Sequence, residues 1–345
     1  MEILALDIGF GETKGMFKDK TFTFRSGFAP FRKSDAAGSH SYGITVTAKL
    51  KKPNGEIEEK TLGPYIAGDK SMLYPNFTEP LSDERLGTDG ALVLLGEAIV
   101  RACVYGEIAL ATGAPLDLFV KERESVKVWK DMELTVSTTN GKNYKVKIAE
   151  IFMQPQSLGA AIALENLDRF PRLPGIGVVI DIGSKTTDIV SLAMSENEEP
   201  LDIIRPLCFS LRGGVGDFFN RIGTGIAREL GTFRPQTGLI KAAIGKETFS
   251  FSGKSCSLRP IETAVRNEVV QSIQNEIRLR FGEQLPLVVA VAVVGGGAKP
   301  FLLGSVVEGL FPGAEIVPVE LDIAPLMNAA GFCSAAKQAM AETLI

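Results

Sequence analysis

Two segments half a chain apart repeat one pattern, and that repeat constrains the fold more than any other feature. Ala5-Leu-Asp7-Ile-Gly9-Phe-Gly11-Glu-Thr13-Lys14 is matched by Val179-Ile-Asp181-Ile-Gly183-Ser-Lys-Thr-Thr187-Asp188, with aspartate, glycine and threonine equally spaced. Each copy has an apolar strand, a tight polar turn and a second strand, at 15–18 in one and 189–193 in the other. A chain opening each half with the same hairpin is expected to hold two related domains.

The remaining pattern is α/β. Strands are expected at 20–25, 107–112 and 287–294, the last an uninterrupted apolar run suited to a parallel sheet covered on both faces. A hairpin over 134–148 turns at Asn140-Gly141. Helices are expected at 89–105, 119–129, 158–167, 217–230, 235–244, 260–281, about 300–310 and 324–340. The first domain is placed at 1–157 with about 328–345, and the second at 158–327. The segment 34–80, rich in Gly, Pro, Ser and Lys with strand-like pieces at 42–50 and 57–62, is expected to form a small variable subdomain; a second is inserted at about 213–268.

Composition excludes several classes. The 345 residues are 45% apolar and 23% charged, ordinary for a globular chain. A net charge of −4 offers no electrostatic footing on nucleic acid, so direct binding is not expected. The first strand follows Met1 at once, leaving no room for a signal peptide, and the richest apolar stretches, 91–100 and 287–294, are too short to span a bilayer. A cytoplasmic protein is expected. Cys103, Cys208, Cys256 and Cys333 lie far apart, as buried or free thiols in a reducing compartment do. His40 is the only histidine, which leaves a zinc site or Ser-His catalysis without support.

The chemistry lies in the turns. Gly9, Phe10 and Gly11 follow Asp7, where glycines let backbone N–H groups turn toward phosphate oxygens; Lys14 adds a point charge. Asp7 would hold Mg²⁺ through water, because magnesium keeps much of its hydration shell. Alone, such a turn could be a plain hairpin whose aspartate bonds its own backbone. The second copy offers another nest at Gly183, Ser184, Lys185 and Thr186, with Asp181 sharing the metal. Thr187 and Asp188 fit ordinary strand positions. Gly295-Gly296-Gly297 joins a strand to an expected helix, where adenine and ribose could lie against backbone with the α-phosphate near the helix N-terminus. Gly213 and Gly214 form a third turn, expected beside the ribose, and Asp217 suits a helix cap. Gln156, ahead of the second half, could orient an attacking water, more so than Gln154, which precedes a proline.

These motifs, with Asn328-Ala-Ala-Gly331 near the end, fall in the order of the five motifs of the actin superfamily, and the chain resembles its ParM/StbA group and archaeal relatives. Thr112-Gly-Ala-Pro-Leu-Asp117 and Met153-Gln-Pro-Gln156 carry the local likeness. The resemblance implies an actin-like ATPase fold, two duplicated ribonuclease-H-like domains with ATP or ADP and Mg²⁺ in a cleft. It also implies catalytic roles for Asp7, Gln156 and Asp181, a nucleotide role for Asn328, and self-association into filaments. In plasmid-partition members a small DNA-binding adaptor, ParR-like, links filament to DNA. Gln156 stands where some ParM proteins carry glutamate, and 34–80 matches no assignable subdomain.

Other classes share this nucleotide core. A small-molecule kinase needs a base and pocket for a second substrate, and no further aspartate motif supplies them. A heat-shock-type chaperone carries a substrate-binding domain beyond the core. A membrane-assembly adaptor of the PilM kind binds nucleotide without needing hydrolysis. Phosphate release without an acceptor separates a filament ATPase from a kinase; sedimentation with ATP separates it from the chaperone and the adaptor.

Overall fold

The computed structural model describes residues 1–32, 42–51, 55–79, 85–171, 173–196, 202–299 and 302–343. His40, Pro80, Pro300 and the start of the 34–80 segment lie outside the described residues. The chain divides into two compact units, Met1–Leu167 with Leu326–Ile345, and Asp168–Pro325.

In the first unit the strands are β1 (Glu2–Ile8), β2 (Glu12–Phe17), β3 (Lys20–Arg25), β4 (Phe28–Pro30), β5 (Ile44–Lys51), β6 (Ile57–Ala67), β7 (Gly106–Ala114), β8 (Glu133–Thr138) and β9 (Asn143–Pro155). Among the described residues they form one sheet in the order β3-β2-β1-β7-β9-β8-β5-β6-β4. β1 is antiparallel to β2 and parallel to β7. The strand-like pieces of 34–80 therefore extend the main sheet, because β5 pairs with β8 as well as β6. The helices are α1 (Asp89–Ala102), α2 (Phe119–Val126) and α3 (Leu158–Asn166), and the returning chain adds the C-terminal helix Met327–Glu342.

Strand alternation sorts the core. Leu4 and Leu6 face the cluster that holds α1, whose Thr88 hydroxyl caps its start at Ala91 N. Ala5 and Ala111 face the other way, onto Phe332 and Ala336 of the C-terminal helix. That helix and α3 cross at backbone distance: a Cβ on Gly331 would lie 1.6 Å from the Gly159 carbonyl oxygen. This contact keeps 158–166 in the first unit, beyond the sequence boundary at 157.

The second unit repeats the arrangement. Its strands are β10 (Gly175–Ile182), β11 (Thr186–Met194), β12 (Asp202–Ile203), β13 (Phe209–Arg212), the hairpin β14 (Thr248–Phe251) and β15 (Lys254–Ser257), β16 (Val288–Val294) and β17 (Glu315–Val317). The main sheet runs β12-β11-β10-β16-β17, with β13 on β11. β10 is antiparallel to β11 and parallel to β16, as β1 is to β2 and β7. Its helices are α4 (Val215–Leu230), α5 (Thr237–Lys241) and α6 (Leu258–Phe281), which build the core with β10 and β16; α7 is the C-terminal helix already placed in the first unit. α6 continues unbroken through 268, and α5 is shorter than the expected 235–244.

The helix expected at 300–310 does not form among the described residues. Only a 3-10 turn, Gly304–Val307, is present. Leu303 N bonds Gly297 O and Gly304 N bonds Lys299 O, so the chain folds back on itself. A Cβ on Gly304 would come within 2.2 Å of Ala298 O, a reversal no α-helix allows. The expected N-terminus of that helix, at about Pro300, lies outside the described residues.

Candidate functional site

In the first unit, β1 delivers Asp7 to the head of a tight turn. Asp7 is buried and stands across the ladder from Lys14, whose Nζ lies 3.7 Å from Asp7 Oδ2. Gln156, at the end of β9 and also buried, donates through Nε2 to Asp7 Oδ1 at 2.6 Å. Since a carboxylate only accepts, the Gln156 amide nitrogen must face Asp7, leaving its carbonyl oxygen as the acceptor for another group. Gln154 instead sits inside β9, opposite Gly113.

The next residue, Ser157, holds φ 65°, an uncommon conformation for a residue with a Cβ. Asn328 supports this corner. Its Oδ1 accepts from Ser157 N at 2.9 Å and Ala160 N at 3.2 Å, satisfying amides at the start of α3. That capping role needs no ligand.

The turns match bond for bond. Gly9 N donates to Glu12 O at 3.0 Å, and Gly183 N donates to Thr186 O at 2.9 Å. The glycine at each position permits closure, since a Cβ on Gly9 would meet Glu12 O at 2.6 Å. The amides of Gly9 and Gly183 are thus engaged in closing the turns, and donors to phosphate must come from other positions in each turn.

In the second unit the three glycine motifs converge. Gly213 N bonds Lys185 O, Val215 N bonds Gly183 O and Gly216 N bonds Ser184 O, so the turn at 213–216 is zipped onto the hairpin turn. Gly297 N bonds Ile182 O at 2.9 Å, bringing the triple glycine to the same place. A Cβ on Gly295 would fall 2.2 Å from Asp181 Oδ1 and one on Gly297 2.3 Å from Ile182 Cγ2, whereas one on Gly296 would meet nothing within 4 Å. Gly296 therefore presents bare backbone to open space. Asp181 is buried at the head of this cluster, Gly183 and Ser184 are half-exposed, and Lys185 is exposed.

Some contacts escaped the sequence reading. Asp188 is buried and accepts from Thr186 Oγ1 at 3.2 Å and from Ser210 Oγ. Thr112 donates to Leu6 O at 2.7 Å, locking β7 to β1 below the turn; a hydroxyl ending an apolar strand was the available signal. Arg85, buried with its guanidinium over Phe10, follows no local pattern and had none.

Each unit by itself offers one buried carboxylate beside a glycine turn, Asp7 in the first and Asp181 in the second, a chemistry that suits Mg²⁺ held through water. No cluster of three or more His, Cys, Asp or Glu suited to a metal occurs among the described residues, so an all-protein cage does not form there. All four cysteines are free, and burial raises the thiols of Cys208, Cys256 and Cys333. No helix among the described residues is long and apolar enough to cross a membrane.

Comparison with known proteins decides the family. Residues 5–159 match the family described as actin-like proteins N-terminal domain, and 179–304 match the archaeal actin homologue MreB-like C-terminal family. Through these two segments the chain is similar to the actin superfamily along most of its length. It is 28% identical to the archaeal actin homologue of Thermoplasma volcanium, over 99% of this chain and all of that one. The crystal structure of the archaeal actin homologue Ta0583 in complex with ADP superposes with TM-score 0.79 at 27% identity, covering 98% of this chain and 100% of that one. A ParM filament from Clostridium botulinum shares the fold, with TM-score 0.78 at 20% identity over 98% and 99% of the chains. This actin-like chain thus has the actin-like ATPase fold, two units of matching topology each opening with the same hairpin.

Proposed function

We propose that the chain is an ATPase of this family that binds ATP through both hairpins, hydrolyses it to ADP and phosphate, and assembles into nucleotide-dependent filaments. The observation that carries the reading is the matched pair of turns headed by buried Asp7 and Asp181, with the glycine cluster beside the second. A relative of similar length that binds ADP supports it.

Each residue has a task in this reading. Lys14 holds phosphate oxygens by charge, and the bare backbone at Gly296 leaves room for the flat base and ribose. Gln156 keeps its carbonyl oxygen for one hydrogen of the attacking water while its amide is tied to Asp7. Asp7 and Asp181 would hold Mg²⁺ through water, and the charge it supplies neutralises the phosphate tail. Asn328, a nucleotide residue in this reading, also braces the corner beside Gln156 through Ser157 N.

Filament assembly rests on the family and on the fold shared with the ParM filament. A head-to-tail contact that does not close generates a filament from one interface type. A cytoplasmic role in DNA segregation would need a small adaptor, since the net charge of −4 gives no direct hold on DNA. Purified protein is pelleted with and without Mg-ATP while phosphate release is followed. Sedimentation and phosphate release that both require ATP are expected. ATP binding without either would favour the non-polymerising adaptor, and phosphate release only with an added acceptor would favour a kinase.

A further inference from the structure

The two phosphate turns match in backbone but differ in what anchors them. The second turn is held by backbone, through the bonds from Gly213, Val215 and Gly216. The first has a large side chain, Phe10, at the position where the second has Ser184. Phe10 is buried, and the Arg85 guanidinium carbon lies 4.2 Å from its ring centroid. Arg85 Nη1 donates to the carbonyl oxygen of Ile8, the residue before Gly9. Glu122 of α2 receives Arg85 N at 2.8 Å and Leu86 N at 2.7 Å, and its Oε1 lies 3.7 Å from Arg85 Nε.

Arg85 and Glu122 are each about 1% exposed. A buried ion pair is costly to desolvate, and apolar residues of the same volume often stabilise a core as well. An apolar residue cannot, however, donate to Ile8 O while keeping a flat cation against Phe10. We infer that Arg85 is a positioning residue for the first phosphate turn, fixing Ile8 and Phe10 from beneath so that the Gly9–Gly11 backbone faces a nucleotide phosphate. Its phosphate half rests on the nucleotide reading above.

The test uses Arg85→Lys, which keeps a cation beside Glu122 but loses the planar stack, and Phe10→Leu, which keeps apolar volume but loses the ring. The Gly9 amide, bonded to Glu12 O, reports closure of the first turn; the Gly183 amide, bonded to Thr186 O, is the matched internal reference. Hydrogen exchange of nucleotide-free protein is expected to quicken about 10-fold at Gly9 in both variants and to stay unchanged at Gly183. Equal exchange at Gly9 in the folded variants would overturn the inference. With nucleotide, affinity for ATP relative to adenosine is expected to fall about 10-fold, because only phosphates meet the turn. An equal loss for both ligands would make Arg85 merely structural. A parent that binds no ATP would overturn the nucleotide reading itself, and the Gly9 exchange would then decide whether Arg85 holds the turn.

Discussion

Gln156 donates its side-chain amide to Asp7 at 2.6 Å, joining the end of β9 to the end of β1 inside the first unit. The bond sets the direction of both groups. The Gln156 carbonyl oxygen is free to accept from water, and Asp7 keeps its other oxygen toward Lys14. Gln156→Ala is expected to bind ATP within about 3-fold of the parent while releasing phosphate about 10²-fold more slowly, the scale of one positioned catalytic group. Affinity falling in step with turnover, measured by calorimetry beside a phosphate assay, would make Gln156 a binding residue.

Asp181 offers the complementary case. It is buried at the head of the second turn, with the Gly295 backbone against its carboxylate. Asp181→Ala is expected to abolish ATP hydrolysis while circular dichroism shows a folded protein. A folded variant with normal phosphate release would remove Asp181 from the proposed metal pair.

The triple glycine separates packing from binding. Gly297→Ala drives a methyl group onto Ile182 and should destabilise by about 1–3 kcal/mol, the usual cost of overpacking. Gly296→Ala meets nothing and should leave the melting temperature unchanged, yet under the proposed function its methyl enters the space left for the nucleotide. Thermal melts and ATP titrations of the two variants should therefore move in opposite ways. Unaltered ATP affinity in Gly296→Ala would place the nucleotide elsewhere.

Asn328 is expected to act on the fold. Asn328→Ala leaves the amides of Ser157 and Ala160 without their acceptor and should cost about 1–3 kcal/mol. Asn328→Asp keeps an accepting oxygen and should recover most of that loss in chemical denaturation. If Asp fails to recover stability, the cap is not what Asn328 contributes.

Glu97, buried in α1, accepts from Tyr42 Oη at 3.3 Å and Arg101 Nε at 2.8 Å. Burial lifts its carboxyl from 4.5 to about 6, against the pull of Arg101. The folded state then holds a proton that the unfolded chain has lost, so this group favours folding below pH 4.5. Its contribution declines as pH rises from 4.5 to about 6. The lost stability is on the order of 2 kcal/mol. Glu97→Gln should remove that dependence, so the stability difference between variant and parent should grow in favour of the variant across this window. A difference constant with pH would show that Glu97 does not titrate there.

The sequence alone determined the duplicated hairpin, the α/β class and the family, because these rest on local patterns. Aspartate and glycine at fixed spacing dictate a turn wherever they occur, and the apolar runs of β10 and β16 declare a covered sheet. It could not determine what each glycine was for. Gly9 and Gly183 close turns, Gly295 and Gly297 yield to neighbours, and only Gly296 of that triplet opens to solvent, distinctions made by residues far away in the chain. It also suggested a helix over about 300–310, where the described residues form only the 3-10 turn Gly304–Val307. The contacts of Gln156 with Asp7, of Asn328 with Ser157 and of Arg85 with Ile8 each join positions more than 70 residues apart. Side-chain hydrogen bonds of that reach leave no periodicity in the sequence. They arise only when sheet register and helix crossings, such as that of Gly159 against Gly331, bring the partners within bonding distance.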